Sequence, residues 1–204
     1  MKIVQAMLAA SVGALAITSA ATADTVATFA DPAAGASTPL FRFNAGTGTL
    51  TGGWAGTNLL LQTPGLPSVP DYNNATFSMS PLSAIGAFGN IYHLGGGQIN
   101  FFDAASNPLL TITFGDAWLT GSLGLGASDF MSNSVTFTGP IVSGYGSVSN
   151  EAFSFSFANP VQTASNGSFT TTSSFTSSAN LVVPAPGAAA LLGLGGLIAT
   201  RRRR

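Results

Sequence analysis

The sequence predicts an all-β protein, a single antiparallel β-sandwich of the jelly-roll or Greek-key type with helical signal segments at both termini. Three observations lead to this prediction. Apolar and polar residues alternate over short segments, Gly, Pro, Asn and Asp bound these segments, and residues 24–182 contain no amphipathic helix of useful length. Short strands at this spacing are typical of a sandwich or a barrel, and we expect the sandwich.

Alternation with a period of two predicts the individual strands. In chain order they lie at residues 25–29, 40–43, 58–61, 76–79, 97–102, 108–114, 117–123, 134–139, 142–148, 152–157 and 168–175. The clearest is AFSFSF at 152–157, because Phe153, Phe155 and Phe157 share one face and serines occupy the other. PLLTITF at 108–114 and SVTFTG at 134–139 combine β-branched and aromatic residues between turn formers. Each of these patterns indicates a strand with one buried face.

The composition predicts an apolar core without covalent cross-links. The chain contains no cysteine, and its 15 Phe, 3 Tyr and 2 Trp all lie within residues 24–182. So many rings in about 160 residues are enough for a sizeable core, which argues against disorder. Stability must therefore come from packing and backbone hydrogen bonds.

Charge excludes one class of partner. Between residues 24 and 183 the only Lys or Arg is Arg42, against seven Asp and Glu side chains, so this region has a net charge of −6. Nucleic acid binding requires clustered Lys and Arg. We therefore expect no nucleic acid partner.

The N terminus has the pattern of a secretory signal peptide at residues 1–23. Lys2 precedes an uncharged, mostly apolar run at residues 3–17, and Ala21 and Ala23 occupy the small-residue positions of an A-x-A site before Asp24. Signal peptidase would then cleave after Ala23, leaving a domain at 24–182. The alternative is a buried N-terminal helix.

The C terminus ends in a short apolar segment and an arginine cluster. Residues 187–200 carry no charge, and as a helix they would extend roughly 21 Å, less than the ~30 Å hydrocarbon core of a bilayer. The following arginines would stay on the cytoplasmic side. We expect a transmembrane helix that retains the chain only transiently in the inner membrane; a permanent anchor is the alternative.

These C-terminal residues resemble the PEP-CTERM sorting signal of exported bacterial proteins. The matching positions are Val183, Pro184, Ala185, Pro186, Gly187, Arg201, Arg202, Arg203 and Arg204. The resemblance implies recognition by exosortase, cleavage near the Pro-x-Pro motif and delivery to the cell surface, in families that accompany exopolysaccharide and biofilm production. Ala185 stands where the family has glutamate, which preserves the backbone shape set by the prolines but removes a carboxylate.

Few residues are suited to catalysis or metal binding. His93 is the only histidine, and no G-x-S-x-G segment supplies a partner serine, so we expect His93 to be structural and the chain to have no catalytic residue and no cofactor. Gly95, Gly96 and Gly97 lack the lysine of a phosphate loop, and we expect a tight turn there.

Three aspartates are evenly spaced along the chain. Asp103, Asp116 and Asp129 lie 13 residues apart near predicted strand ends. Turn formation is the favoured interpretation, because Asp side chains accept hydrogen bonds from nearby backbone. A calcium site is the alternative, although no dense D-x-D-x-D loop is present, and we expect no metal site.

Aromatic residues offer a contact for extracellular polysaccharide. Trp54 and Trp118 could present flat rings to a sugar, and Trp54, among the turn residues of TGGWAGTN, is expected to be the more exposed. The alternative is that these rings, with Tyr72, Tyr92 and Tyr145, belong to the core. Together these features predict an exported surface or extracellular-matrix protein of a bacterium with no enzymatic activity. A carbohydrate-binding module is the alternative, and a glycoside hydrolase using two of the acids, Glu151 among them, is less favoured.

Overall fold

The computed structural model describes residues 23–33, 38–121 and 128–182, and within them it contains strands and turns but no helix. Strands β1 to β11 span Asp24–Phe29, Phe41–Asn44, Thr49–Trp54, Thr76–Met79, Leu82–Phe88, Ile91–Phe102, Pro108–Thr120, Ser128–Ser132, Val135–Thr138, Ser147–Gln162 and Phe169–Val182. The predicted all-β class is therefore confirmed. The predicted terminal helices at 1–22 and 183–204 lie outside the described residues.

All strand pairs are antiparallel, and the strands form one continuous sheet that closes on itself. Neighbours follow the order β6, β5, β3, β2, β11, β10, β8 and β7, and the pairing of β7 with β6 closes the ring. Strand β1 pairs with β11, β9 pairs with β7, and β4 pairs with both β3 and β6. The closed barrel corrects the predicted sandwich. Alternation shows that one face of a strand is buried, but it does not show whether that face meets a second sheet or the opposite side of the same one.

Most predicted strands exist, with two exceptions. Residues 58–61 form no strand; Leu61 and Gln62 make only isolated bridges to Tyr72 and Thr28. Residues 141–144 are turns, and β10 begins at residue 147. The sequence prediction missed β3, β5 and β8, since glycines or exposed apolar residues break their alternation.

Phenylalanines fill the interior of the ring. Phe153 and Phe155 are buried as predicted, whereas Phe157 is only partly buried. The Phe155 ring centroid lies 4.9 Å from that of Phe41 and 4.7 Å from that of Phe175. Rings from strands far apart in sequence thus meet in one apolar cluster.

Strand β11 also buries polar side chains, which satisfy backbone groups where the sheet is irregular. The register of β1 shifts between Thr25 and Ala27, and there the Ser177 hydroxyl accepts from Ala27 N at 3.1 Å and lies 3.0 Å from Ala27 O. Buried polar groups are tolerated only when they are hydrogen-bonded in this way. The buried serines and threonines of β11 are therefore structural.

Gly95, Gly96 and Gly97 lie within β6, which corrects the predicted tight turn. The buried residues of β6 change from odd positions, Ile99 and Phe101, to an even position, Leu94, across these glycines. The buried positions of the paired strand β7 change in the same way, with Leu110, Ile112 and Phe114 before residue 115 and Ala117 and Leu119 after it.

This change of buried face explains why one strand was predicted as two. The separate predicted strands 108–114 and 117–123 fall on either side of it, and both belong to β7 as far as residue 120. A change of buried face breaks the period of two without ending the strand.

Candidate functional site

Five strands place one row of side chains on the outer surface of the ring. The antiparallel registers pair His93 with Trp118, Trp118 with Met131, Met131 with Ser154, and Ser154 with Thr176. None of the five side chains belongs to the buried core. Residues from β6, β7, β8, β10 and β11 therefore form one continuous surface.

The ring of Trp118 is held by stacking on His93, which is itself hydrogen-bonded to Asp116. The Trp118 side chain is 48 % exposed, and its ring stacks on that of His93 with centroids 4.3 Å apart and planes within 9°. His93 Nε2 lies 2.9 Å from Asp116 Oδ2, so Nε2 carries the hydrogen and donates it to the carboxylate. The indole is therefore oriented before any ligand arrives, which reduces the entropy lost on binding.

An open groove of about 350 Å³ runs beside Trp118. Its lining consists of Trp118, Met131, Ser132, Asn133, Ala152, Phe153, Ser154, Thr176 and Ser178. We call this the Trp118 groove. An apolar ring beside several hydroxyl groups and one amide suits a ligand that has both an apolar face and hydroxyls, as a neutral sugar ring has.

The lining of the Trp118 groove offers hydroxyl groups without an acid or a base beside them. No carboxylate is among its lining residues. Among the residues the structure describes, the only hydrogen-bond partner of the His93 side chain is Asp116, so no serine completes a triad with this pair. The arrangement can bind and orient a ligand.

Trp54 is the less exposed of the two tryptophans, contrary to the expectation. It is partly buried, packs against the core, and its Nε1 donates to Thr57 O at 3.2 Å. The turn residues around Trp54 fold back over the indole, and a Cβ on Gly56 would lie 2.8 Å from it. Turn composition therefore did not predict exposure here. The three tyrosines also pack against the core: Tyr72, Tyr92 and Tyr145.

The three evenly spaced aspartates do not form a group. Asp103 Oδ1 accepts from the backbone N of Ala105 and of Asn107, and Asp103 Oδ2 accepts from Asn107 Nδ2 at 2.8 Å, so the turn interpretation is confirmed there. The hydrogen bonds from Asn107 hold the pKa of Asp103 below its ordinary value of 3.8. Asp116 and Asp129 instead lie within β7 and β8, and no three His, Cys, Asp or Glu side chains in the described ranges are arranged to hold a metal ion.

Most of the predicted processing residues cannot be placed. Ala21 and the sorting residues at 183–187 and 201–204 lie outside the described residues. Ala23 is exposed, and Asp24 begins β1. Within residues 23–33, 38–121 and 128–182 no helix is long and apolar enough to cross a membrane.

Comparison with models of protein families, with curated proteins and with solved structures gives no match to this chain.

Proposed function

We propose that this chain is an exported surface or extracellular-matrix protein of a bacterium, sorted through its C-terminal exosortase signal, with a non-enzymatic role in an exopolysaccharide layer. Two sequence features support export and sorting: the apolar run with its A-x-A site before Asp24, and the Pro-x-Pro motif followed by an apolar segment and four arginines. Signal peptidase and exosortase would be its processing partners.

Within that role, a carbohydrate-binding module is the second candidate, and one observation favours it. The exposed indole of Trp118 is fixed against His93 at the edge of a groove that contains hydroxyl groups. A passive matrix protein needs no oriented ring, whereas sugar binding uses one. We infer that the domain contacts a polysaccharide through the Trp118 groove.

Glycoside hydrolysis is the least supported alternative. It requires two carboxyl groups about 5 to 10 Å apart across the bound sugar. The Trp118 groove is lined by none, and the groove that Glu151 lines contains no second acidic residue among its lining.

Mass spectrometry of the native protein tests export and sorting together. We expect the mature chain to begin at Asp24, because the A-x-A site ends at Ala23, and to end near Pro184 and Pro186. Exported protein that retains both Met1 and Arg204 would contradict the proposal. A chain that begins at Asp24 but keeps Arg204 would contradict only the sorting part.

Replacement of Trp118 by Ala tests the sugar contact. We expect binding to the producer's exopolysaccharide to weaken by about tenfold or more, because a binding site concentrates its free energy in a few aromatic residues. Affinity can be measured by depletion of the protein on the immobilised polymer. Phe88→Ala is the matched control, since it removes a ring that is 87 % exposed and does not line the groove.

Two results would contradict this assignment. Equal binding by W118A and F88A would favour general adhesion over a specific site. Turnover of any glycan that depends on Glu151 or on an aspartate would contradict the non-enzymatic role itself.

A further inference from the structure

A second groove lies on the outer surface of β2, β3 and β11. It has a volume of about 680 Å³ and is lined by Arg42, Phe43, Asn44, Thr47, Thr49, Thr51, Thr163, Ala164, Asn166, Ser168, Phe169 and Thr170. We call it the Arg42 groove. Arg42 lines it, is exposed, and lies in register with Thr51 on one side and Thr170 on the other. Its polar lining is built from residues of three strands and two turns.

The two turns that border the Arg42 groove are fixed by side-chain hydrogen bonds. Asn44 Oδ1 accepts from Gly46 N at 2.9 Å and from Thr47 N at 3.3 Å. Across the groove edge, Ala45 N donates to Ser168 Oγ at 2.9 Å, and Ser168 donates in turn to Asn166 Oδ1 from both its N and its Oγ. The two turns are therefore ordered by hydrogen bonds within the protein, before any ligand binds.

The hydrogen bonds within the two turns use the amide oxygens of Asn44 and Asn166 as acceptors and leave the amide nitrogens available as donors. Because Oδ1 of Asn44 and of Asn166 accepts from backbone N–H groups, the remaining polar atom of each side chain is the Nδ2 amide, a donor. Arg42 is the only Lys or Arg in the described ranges, and within them it makes no ion pair. None of the seven Asp and Glu residues lines the groove. Its one charge is positive and lacks a counter-charge.

We propose that the Arg42 groove binds an acidic sugar residue, with the carboxylate of a hexuronate on the Arg42 guanidinium. A guanidinium presents two parallel N–H groups that match a carboxylate, and charge-assisted bonds of this kind are among the strongest in proteins. The threonine hydroxyls and the Asn44 and Asn166 amides then meet the sugar hydroxyls. The volume suits one to a few sugar rings. The anion site depends only on this groove, whereas its assignment to a polysaccharide rests on the proposed function.

The net charge of the domain restricts how densely charged the bound polysaccharide can be. A domain of net charge −6 repels a densely charged polyanion at distances within about 10 Å at 0.1 M salt. One arginine offsets one carboxylate. The preferred ligand therefore carries isolated carboxylates among neutral sugars.

Titration calorimetry with two matched oligosaccharides tests the proposal. One is a tetrasaccharide of three neutral hexoses and one glucuronate. The other is the same tetrasaccharide with the carboxyl group of the glucuronate reduced to an alcohol. We expect Arg42→Gln to weaken binding of the first by about tenfold or more. R42K should lose less affinity, because lysine keeps the positive charge but lacks the two parallel N–H groups of the guanidinium. Binding of the reduced molecule should be weak and insensitive to R42Q.

A charge-matched variant distinguishes the contact between Arg42 and the carboxylate from the effect of the net charge of the domain. Thr138→Asp on β9 changes the net charge by the same single unit as R42Q but lies outside the groove, so it should bind like the unsubstituted protein. Arg42 is exposed, so R42Q should fold normally, and circular dichroism checks this.

Each contrary result overturns a defined part of the proposal. Equal affinity of R42Q and the unsubstituted protein, equal affinity for the two oligosaccharides, or no binding of either would overturn the anion site. Free glucuronate that binds as tightly as the tetrasaccharide would assign the groove to a small acid and overturn the polysaccharide assignment. Binding abolished by W118A but not by R42Q would place the ligand in the Trp118 groove and overturn only the second site.

Discussion

Phe155→Ala is expected to lower the free energy of unfolding by about 3–5 kcal/mol, which is the range for removal of a fully buried aromatic side chain. Phe155 has no exposed surface and lies near the centre of the aromatic cluster. Its ring contacts six others, those of Phe29, Phe41, Phe77, Phe130, Phe153 and Phe175. The cavity would be bordered by several strands at once, so no single strand can move to fill it.

Urea denaturation of the 24–182 domain, followed by far-ultraviolet circular dichroism, measures this effect. Phe88→Ala is the matched control, because its ring is 87 % exposed, and it should change the free energy of unfolding by no more than about 0.5 kcal/mol. Similar losses in the two variants would contradict the cluster around Phe155.

The sequence predicted which faces are buried better than it predicted which strands are neighbours. Phe153 and Phe155 were placed on one face by alternation alone, and both are buried. The closure of the ring, however, depends on the pairing of β6 with β7, while β6 pairs with β5 and β7 pairs with β8 on their other sides. Such pairing is decided by register between distant segments, and a local period carries no information about it.

The Trp118 groove was predictable in its parts but not as a whole. Trp118 was a candidate ring, and the serines that alternate with phenylalanine at 152–157 were expected on the face opposite the core. Nothing local indicated that Met131, Ser154 and Thr176 would lie beside it, since cross-strand registers bring them together. In the same way, charge counting identified Arg42 as the lone cation, but the turn at 163–168 that borders its groove could be found only in the structure.

Gly96 is the residue at which local pattern and structure disagree most, and the disagreement has a steric cause. A Cβ on Gly96 would lie 2.7 Å from the carbonyl oxygens of both Gly115 and Phe114. Real Cβ atoms do not approach backbone so closely, and carbonyl groups in a paired strand cannot rotate away as a side chain can. Glycine at position 96 is therefore required by the close approach of β6 to the backbone of β7.

Gly96→Ala should consequently lower the free energy of unfolding by about 3 kcal/mol, at the upper end of the range for overpacking, because the conflicting atoms are backbone. His93 lies three residues before Gly96 and Asp116 directly follows Gly115, so a backbone shift at Gly96 should also weaken the stacking of Trp118 on His93. Tryptophan fluorescence reports that change, and urea denaturation reports the stability.

Gly144→Ala is the matched control for this substitution. A Cβ at Gly144 meets no atom within 4 Å, and the backbone there is not in the left-handed region. Alanine should therefore be neutral or should stabilise the fold slightly by restricting the unfolded chain. If G96A unfolds at the same urea concentration as G144A, β6 and β7 can separate at residue 96, and close approach is not the reason for glycine at this position.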